Sequence, residues 1–296
     1  MAETKLASPI PDIEEKAEAE SANAVSGSAE AESELLDALE KLKEVPKILR
    51  EGILLTGGGV AILLQAATPG VAKEASQNSN LASQLLEGLQ ATITYMYCLA
   101  SGTRDEKKAV LDMINRSRAP LKGSDNYAED PDVRLWIAAT FYATATDFYQ
   151  RIYGKVDYRT AERVYREYTL LTTALRLPPE TWPKDRQAFW TYWDEKVEKL
   201  ETPPEARTAA KDLLHNTDLP GWIRALKPFT RVVTTEMLPP QIREGYGLES
   251  TKASRCFYRF TMGLAVAMYP GLPKFIRSHP QRCRLKEFRR HMSNTL

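Results

Sequence analysis

The chain has 296 residues, of which 43% are hydrophobic, enough for a sizeable core. Its formal net charge of +1 gives no global field favouring nucleic acid, so no nucleic-acid partner is expected. Three cysteines, Cys98, Cys256 and Cys283, lack metal-like spacing and argue against a disulfide scaffold. A reducing, cytoplasmic setting is therefore expected.

Residues 1–34 are rich in Ala, Glu and Ser and read as a disordered acidic tail without an apolar signal segment. Leu35, Leu36, Leu39 and Leu42 then fall on one face of a short amphipathic helix. The stretch from Ile48 to Ala72 is apolar for about the length of a membrane span. Gly57, Gly58 and Gly59 sit in its middle, however, and Arg50, Glu51 and Gln65 interrupt or flank it. A phosphate-binding loop would need a following Lys-Ser/Thr and a preceding strand, and has neither. A buried helix or helix pair is the favoured reading, with the small residues allowing close approach by a neighbour or a flat ligand. No obligate membrane span is expected.

Helices are predicted over Asn80–Thr103 and Arg104–Asn115, with Val110, Leu111 and Ile114 inward. A polar loop carrying Arg116, Arg118 and Lys122 follows. The clearest helix comes next. Asp130 caps it, Pro131 occupies a position that needs no N–H donor, and Gly154 supplies a left-handed C-cap. Val133, Trp136, Ile137, Thr140, Phe141, Thr144, Phe148 and Ile152 recur at helical spacing. The small strip Ala138, Ala139, Ala143 and Ala145 admits another helix or a flat ligand. Arg116 and Arg118 can bind a carboxylate by bidentate hydrogen bonds, or pair with Asp125, Glu129, Asp130 or Asp132 and simply fix the loop.

Further helices are predicted over Tyr158–Leu177, Thr181–Leu200 with Pro183 in its first turn, Glu205–Leu214, Pro220–Thr234, Ile242–Tyr246 and Ser254–Met268. Phe189, Trp190, Trp193 and Val197 form an aromatic stripe of the kind found in cores. Residues 273–296 are a basic tail suited to a solvated surface, an anionic partner or peripheral membrane contact. No strand alternation or hairpin signal is found. The expected fold is all-α, about ten helices, with one domain over residues 35–272.

Few reactions fit the residue inventory. There is no Gly-x-Ser-x-Gly elbow, no His-Glu-x-x-His, no inward Glu-x-x-His pair and no strand followed by a Gly-rich turn. The three histidines, His215, His279 and His291, limit every metal or general-base assignment.

The series REGILLTGGGVAILLQAATPGVA, INRSRAPLKG with Tyr127, DPDVRLWIAATFY and YREYTLLTTALRLPPETWPKDRQAFWTYWDE resembles the MpaB and latex-clearing-protein (rubber oxygenase) family over about Val45–Leu272. The resemblance implies a globin-like helical domain. It also implies a heme b cofactor in an oxygenase or oxidoreductase acting on a small apolar, prenyl or polyketide metabolite of secondary metabolism. The family frame is retained in Asn115, Arg116, Lys122, Gly123, Tyr127, Asp130, Pro131, Trp136 and Thr140. Two histidines common in the family are replaced, one by Arg118 and the other by Ala138, which cannot ligate iron. Arg118, Lys122 and Thr140 are the catalytic candidates, and Arg116, Trp136 and His215 the cofactor-binding ones, His215 as the one histidine inside the matched region, able to substitute where the fold brings it to the same pocket. His215 can instead cap carbonyls at a helix end. Tyr95, Tyr127 and Tyr142 can ligate as phenolates or simply pack. The alternatives are a non-heme ligand-binding or acid-base protein of the same descent, and a non-catalytic interaction protein.

Overall fold

The computed structural model describes residues 30–68, 81–116, 130–215 and 221–295. Among them every regular element is helical and no strand occurs, so the fold is all-α. In chain order the helices are α1 (30–40), α2 (Val45–Leu49), α3 (Gly58–Ala66), α4 (Leu81–Ser101), α5 (Arg104–Arg116), α6 (Pro131–Tyr153) and α7 (Tyr158–Ala174). There follow α8 (Arg186–Glu198), α9 (Pro204–His215), α10 (Gly221–Met237), α11 (Pro240–Gly245), α12 (Lys252–Met268), α13 (Lys274–Arg277) and α14 (His279–Thr295). Short 3₁₀ turns cover Gly52–Gly57 and Tyr269–Gly271.

α6 is the axis of the fold. Its start is as the sequence predicts: Asp130 Oδ1 accepts from the Asp132 N–H at 2.9 Å, with Pro131 in the first turn. Buried residues lie all round it, from Val133 and Trp136 to Ala139, Tyr142 and Ile152, as expected for a helix enclosed by others. Its end departs from expectation. Gly154 has φ +85° and ψ 173°, an extended glycine-only conformation rather than a left-handed cap.

α3 packs lengthwise on α6 and is buried from Val60 to Ala66. The apolar stretch before it is thus a 3₁₀ turn feeding a short buried helix. No described helix is long and apolar enough to cross a membrane. The glycine triplet differs from residue to residue. A Cβ on Gly59 would stand 2.5 Å from Thr234 Oγ1 of α10, whereas one on Gly57 would meet only ordinary contacts. Gly52 is equally constrained, with Pro280 Cγ 2.7 Å from the site of a Cβ.

Other local signals operate where periodicity alone misplaces the boundary. α8 begins at Arg186, not near Pro183, because Asp185 accepts from the Ala188 N–H at 2.8 Å. α7 stops at Ala174 because Arg176 turns left-handed, φ 62°, and the Leu177 N–H returns to the Thr172 carbonyl at 2.9 Å. α5 opens with a capping box: the Thr103 N–H donates to Glu106 Oε2 at 3.0 Å and the Glu106 N–H to Thr103 Oγ1 at 3.3 Å.

Two apolar clusters form the interior. The larger one includes an aromatic knot of Tyr142, Tyr165, Tyr168, Trp182 and Phe189, with Tyr142–Phe189 centroids 4.8 Å apart. The smaller joins Phe148, Ile152, Val233 and Met262. The basic C-terminal residues are largely helical. α14 buries Leu285 and Phe288 and packs against α4. Two ion pairs hold this region down, a nearly buried one at Arg277 and one with an exposed arginine at Arg289. Arg277 Nη1 donates to both oxygens of Glu51, at 2.8 and 2.9 Å, and to the Tyr153 hydroxyl at 2.7 Å. Arg289 Nε donates to Glu106 Oε1 at 2.6 Å.

Candidate functional site

The frame residues of α6 converge on the C-terminus of α3. Helix ends leave their last carbonyls without intrahelical partners. Here Trp136 of α6 supplies a partner, and Tyr246 just after α11 adds a second donor to the Leu63 carbonyl, which also accepts from the Ala67 N–H at 3.2 Å. Trp136 Nε1 donates to the Leu64 carbonyl at 3.1 Å, and the Tyr246 hydroxyl donates to the Leu63 carbonyl at 2.6 Å. Gln65 Nε2 donates to Thr140 Oγ1 at 2.8 Å, and Thr140 Oγ1 donates in turn to the Ile137 carbonyl at 2.7 Å. Trp136 and Thr140 are both fully buried, and Trp136 stacks against Trp193 with centroids 5.1 Å apart. As placed, these two candidates lock α3 to α6.

The remaining candidates are not assembled around them. Arg116 is exposed in the last turn of α5, where its Nε donates to the Asp112 carbonyl at 3.3 Å. Arg118, Lys122 and Tyr127 lie outside the described residues. His215 closes α9, and its side chain also lies outside them. Ala138 contributes its carbonyl, which accepts from the Tyr168 hydroxyl at 3.0 Å. Burial pushes the Tyr142 phenol up to about 12 against the opposing influence of Arg186, so it stays protonated at neutral pH within the aromatic knot. Burial likewise raises the Cys98 thiol to about 12, which removes it as a thiolate nucleophile.

One face of the α3–α6 pair is hollow. A cleft of about 60 Å³ lies among Leu54, Gly58, Ala61, Ile93, Met96 and Phe141, with Thr144 and Ala145 along its α6 edge. That is several times the roughly 10–15 Å³ that holds one water. It suits a short branched hydrocarbon segment. It is far smaller than the roughly 300–1,000 Å³ sites that enclose whole cofactors. Gly58 and Ala61 open it from α3, and Ala145 does so from α6. The strip of small residues read from the sequence thus faces different neighbours: Ala145 lines this cleft, while Ala143 borders a second hollow toward Trp190 and Trp193. Thr144, the polar residue on the α6 edge, donates its hydroxyl to the Thr140 carbonyl at 2.6 Å.

The family model "ER-bound oxygenase mpaB/B'/Rubber oxygenase, catalytic domain" matches residues 46–267. The chain belongs to this family. It is 28% identical over 204 residues to an uncharacterised protein of Mycobacterium bovis and, to the same extent, to one of Mycobacterium tuberculosis. These alignments cover 66% of this chain and 80% of each relative. No solved structure matches. The matched family region runs from Pro46 in α2 into α12, so it contains the α3–α6 lock and the cleft beside it.

The fit of a heme can be judged from the donors present. The position at which the family resemblance implies an axial histidine is Ala138, which has no donor atom in its side chain. His279 is exposed on α14 with its ring 3.6 Å from Cys283 Sγ, and His291 is exposed farther along the same helix. No described cluster of three or more His, Cys, Asp or Glu side chains is arranged to hold a metal ion. Of the described side chains, no histidine lines the cleft, so its described lining offers no imidazole as an axial ligand for a heme.

Proposed function

We infer that this chain is an oxidoreductase of the oxygenase type, acting on a small apolar metabolite with prenyl or polyketide character and working in secondary metabolism. The observation that carries this reading is the cleft between α3, α4 and α6: an almost wholly apolar hollow inside the matched oxygenase region. A site with such a lining favours substrates through burial of hydrocarbon, at roughly 25 cal/mol per Å² removed from water. Thr140 stands one turn before Thr144 on the same helix and would keep the α6 edge of the cleft in place. Arg118 and Lys122 are proposed as the groups that meet a polar end of the substrate.

Ala138 favours a second reading within the same family. If no other side chain supplies an axial ligand, the cleft serves a non-heme protein that binds an apolar ligand or carries out acid-base chemistry through Arg118 or Lys122. One set of measurements separates the two. The isolated protein is taken through an ultraviolet-visible spectrum, metal analysis and oxygen-uptake assays with short prenyl and polyketide compounds. Substrate-dependent oxygen consumption with an oxygenated product supports the oxygenase. Saturable binding of the same compounds without oxygen uptake, in a colourless and metal-free protein that takes up no hemin, selects the second reading. Failure to bind any of them refutes both.

A further inference from the structure

The C-terminal quarter carries a surface that the oxygenase reading leaves unexplained. α12 is held down by one face, through Tyr258, Met262 and Ala265, against the smaller apolar cluster. On another face Phe257, Phe260, Leu264 and Met268 recur at spacings of three and four, which aligns them along the helix. All four are exposed, Phe260 by 69% and Met268 by 59%. Soluble surfaces seldom line up large apolar side chains in this way without a partner. A third strip, Lys252, Arg255 and Arg259, is basic and also exposed, but helical spacing turns it to the side of α12 away from the apolar strip, so the cations beside the apolar residues come from the following helices.

The following turn continues the pattern. Phe275 (61% exposed) and Ile276 stand on α13 beside Lys274. Arg282 Nη2 donates to the Phe275 carbonyl at 2.5 Å, so a guanidinium of α14 lies against this apolar turn. Residues 251–296 contain ten Lys or Arg and a single acidic residue, Glu287, although the whole chain is balanced to +1. The apolar strip and the positive charge thus coincide in one region.

The geometry points to a docking surface for an anionic phospholipid bilayer, formed by α12 and α13 with Lys274 of α13 and Arg282 of α14 at its rim. Exposed Phe, Leu and Met beside Lys and Arg are what an interfacial element uses. The apolar side chains enter the acyl boundary while the cations meet acidic headgroups. A second copy of the chain fits less well, because apposing the same face twice would bring two basic rims together. The surface is independent of the reaction at the cleft. It would hold the protein where apolar substrates concentrate.

The test uses the full chain and phosphatidylcholine vesicles with or without phosphatidylserine. Co-sedimentation should require phosphatidylserine and weaken as salt is raised. Phe260→Ser with Met268→Ser should weaken binding by about tenfold or more, since two apolar side chains no longer leave water. Lys274→Glu with Arg282→Glu should remove the phosphatidylserine dependence. All four side chains are exposed, so circular dichroism and melting temperature should stay as in the parent. Absence of lipid-dependent sedimentation by the full chain would overturn the proposal. So would a dimer in light scattering that Phe260→Ser with Met268→Ser converts to monomer, which would make the face a protein interface.

Discussion

Trp136→Ala probes the joint on which the fold turns. The indole is fully buried between α6, α3 and α8 and stacks on Trp193 at 5.1 Å. Truncating a large buried aromatic to alanine costs about 3–5 kcal/mol through lost transfer energy and the cavity left behind. The same change removes the 3.1 Å bond to the Leu64 carbonyl, one of the terminal carbonyls of α3. Leaving a buried acceptor without its donor accounts for about 1–3 kcal/mol when it stands alone. Trp136→Phe separates the two effects, since it keeps most of the ring volume and loses the N–H. Its expected cost is about 1–3 kcal/mol, set mainly by the orphaned carbonyl. The assay is equilibrium urea unfolding followed by circular dichroism, with the slope checked for constancy. A Trp136→Ala loss below about 1 kcal/mol would refute the assignment of the buried face, because no fully enclosed tryptophan is removed so cheaply.

Other substitutions test the remaining supports. Arg277→Met leaves the buried Glu51 carboxylate to the Arg50 Nε–H at 3.2 Å and the Tyr153 hydroxyl at 2.7 Å, and the lost charged hydrogen bonds should destabilise the protein by about 1.5–3 kcal/mol in the same urea assay; a loss under about 0.5 kcal/mol, typical of surface substitutions, would contradict the pairing. Gly154→Ala must adopt a glycine-only conformation and should cost about 1–3 kcal/mol, although no neighbour would touch the new methyl. For Glu106, burial pushes the carboxyl up, but the Arg289 guanidinium and the Thr103 N–H outweigh it and hold the carboxyl below the ordinary carboxylate range. A depressed folded-state value means a stabilising contribution that is complete above the unfolded value, about 4.3, and lost as pH falls through the folded one. Glu106→Gln should therefore lower stability at neutral pH and flatten its decline in that acid range; an unchanged acid profile would show that the pair does not contribute.

The parts of this fold that were legible in sequence are those set by local chemistry. Asp130-Pro131 marks the start of α6 because the cap and the proline act within one turn. Gly154 marks its end, although only the structure distinguishes an extended glycine from a left-handed one. The Phe189–Trp193 stripe is core, as its spacing indicates. Where two local signals compete, the less conspicuous one can win: Asp185, not Pro183, starts α8. Arg176 gives no glycine signal, so the end of α7 is invisible to composition. The Thr103–Glu106 capping box was legible but lay inside a charged run. In α14 the spacing of Gln281, Leu285 and Phe288 marks a buried stripe that the density of arginines conceals. The site was legible only as a set of residues. Which carbonyl Trp136 meets, and that Thr140 meets Gln65, depends on α3 and α6 packing across more than seventy positions of chain. Periodicity carries no information about such pairings. Arg118 and Lys122 fall outside the described residues, so their relation to the cleft rests on the family frame.

On the proposed reading, the apolar cleft beside the α3–α6 lock receives the substrate. Ala145→Leu tests it most directly, because Ala145 is half-buried on the cleft's α6 edge and a leucine there would occupy the space. The measurement is calorimetric titration of the parent and the variant with a short prenyl alcohol, after circular dichroism shows the same fold for both. The parent should bind saturably and the variant about tenfold or more weaker, the equivalent of at least about 1.4 kcal/mol. Equal affinity in the two proteins would place the substrate elsewhere, away from this cleft.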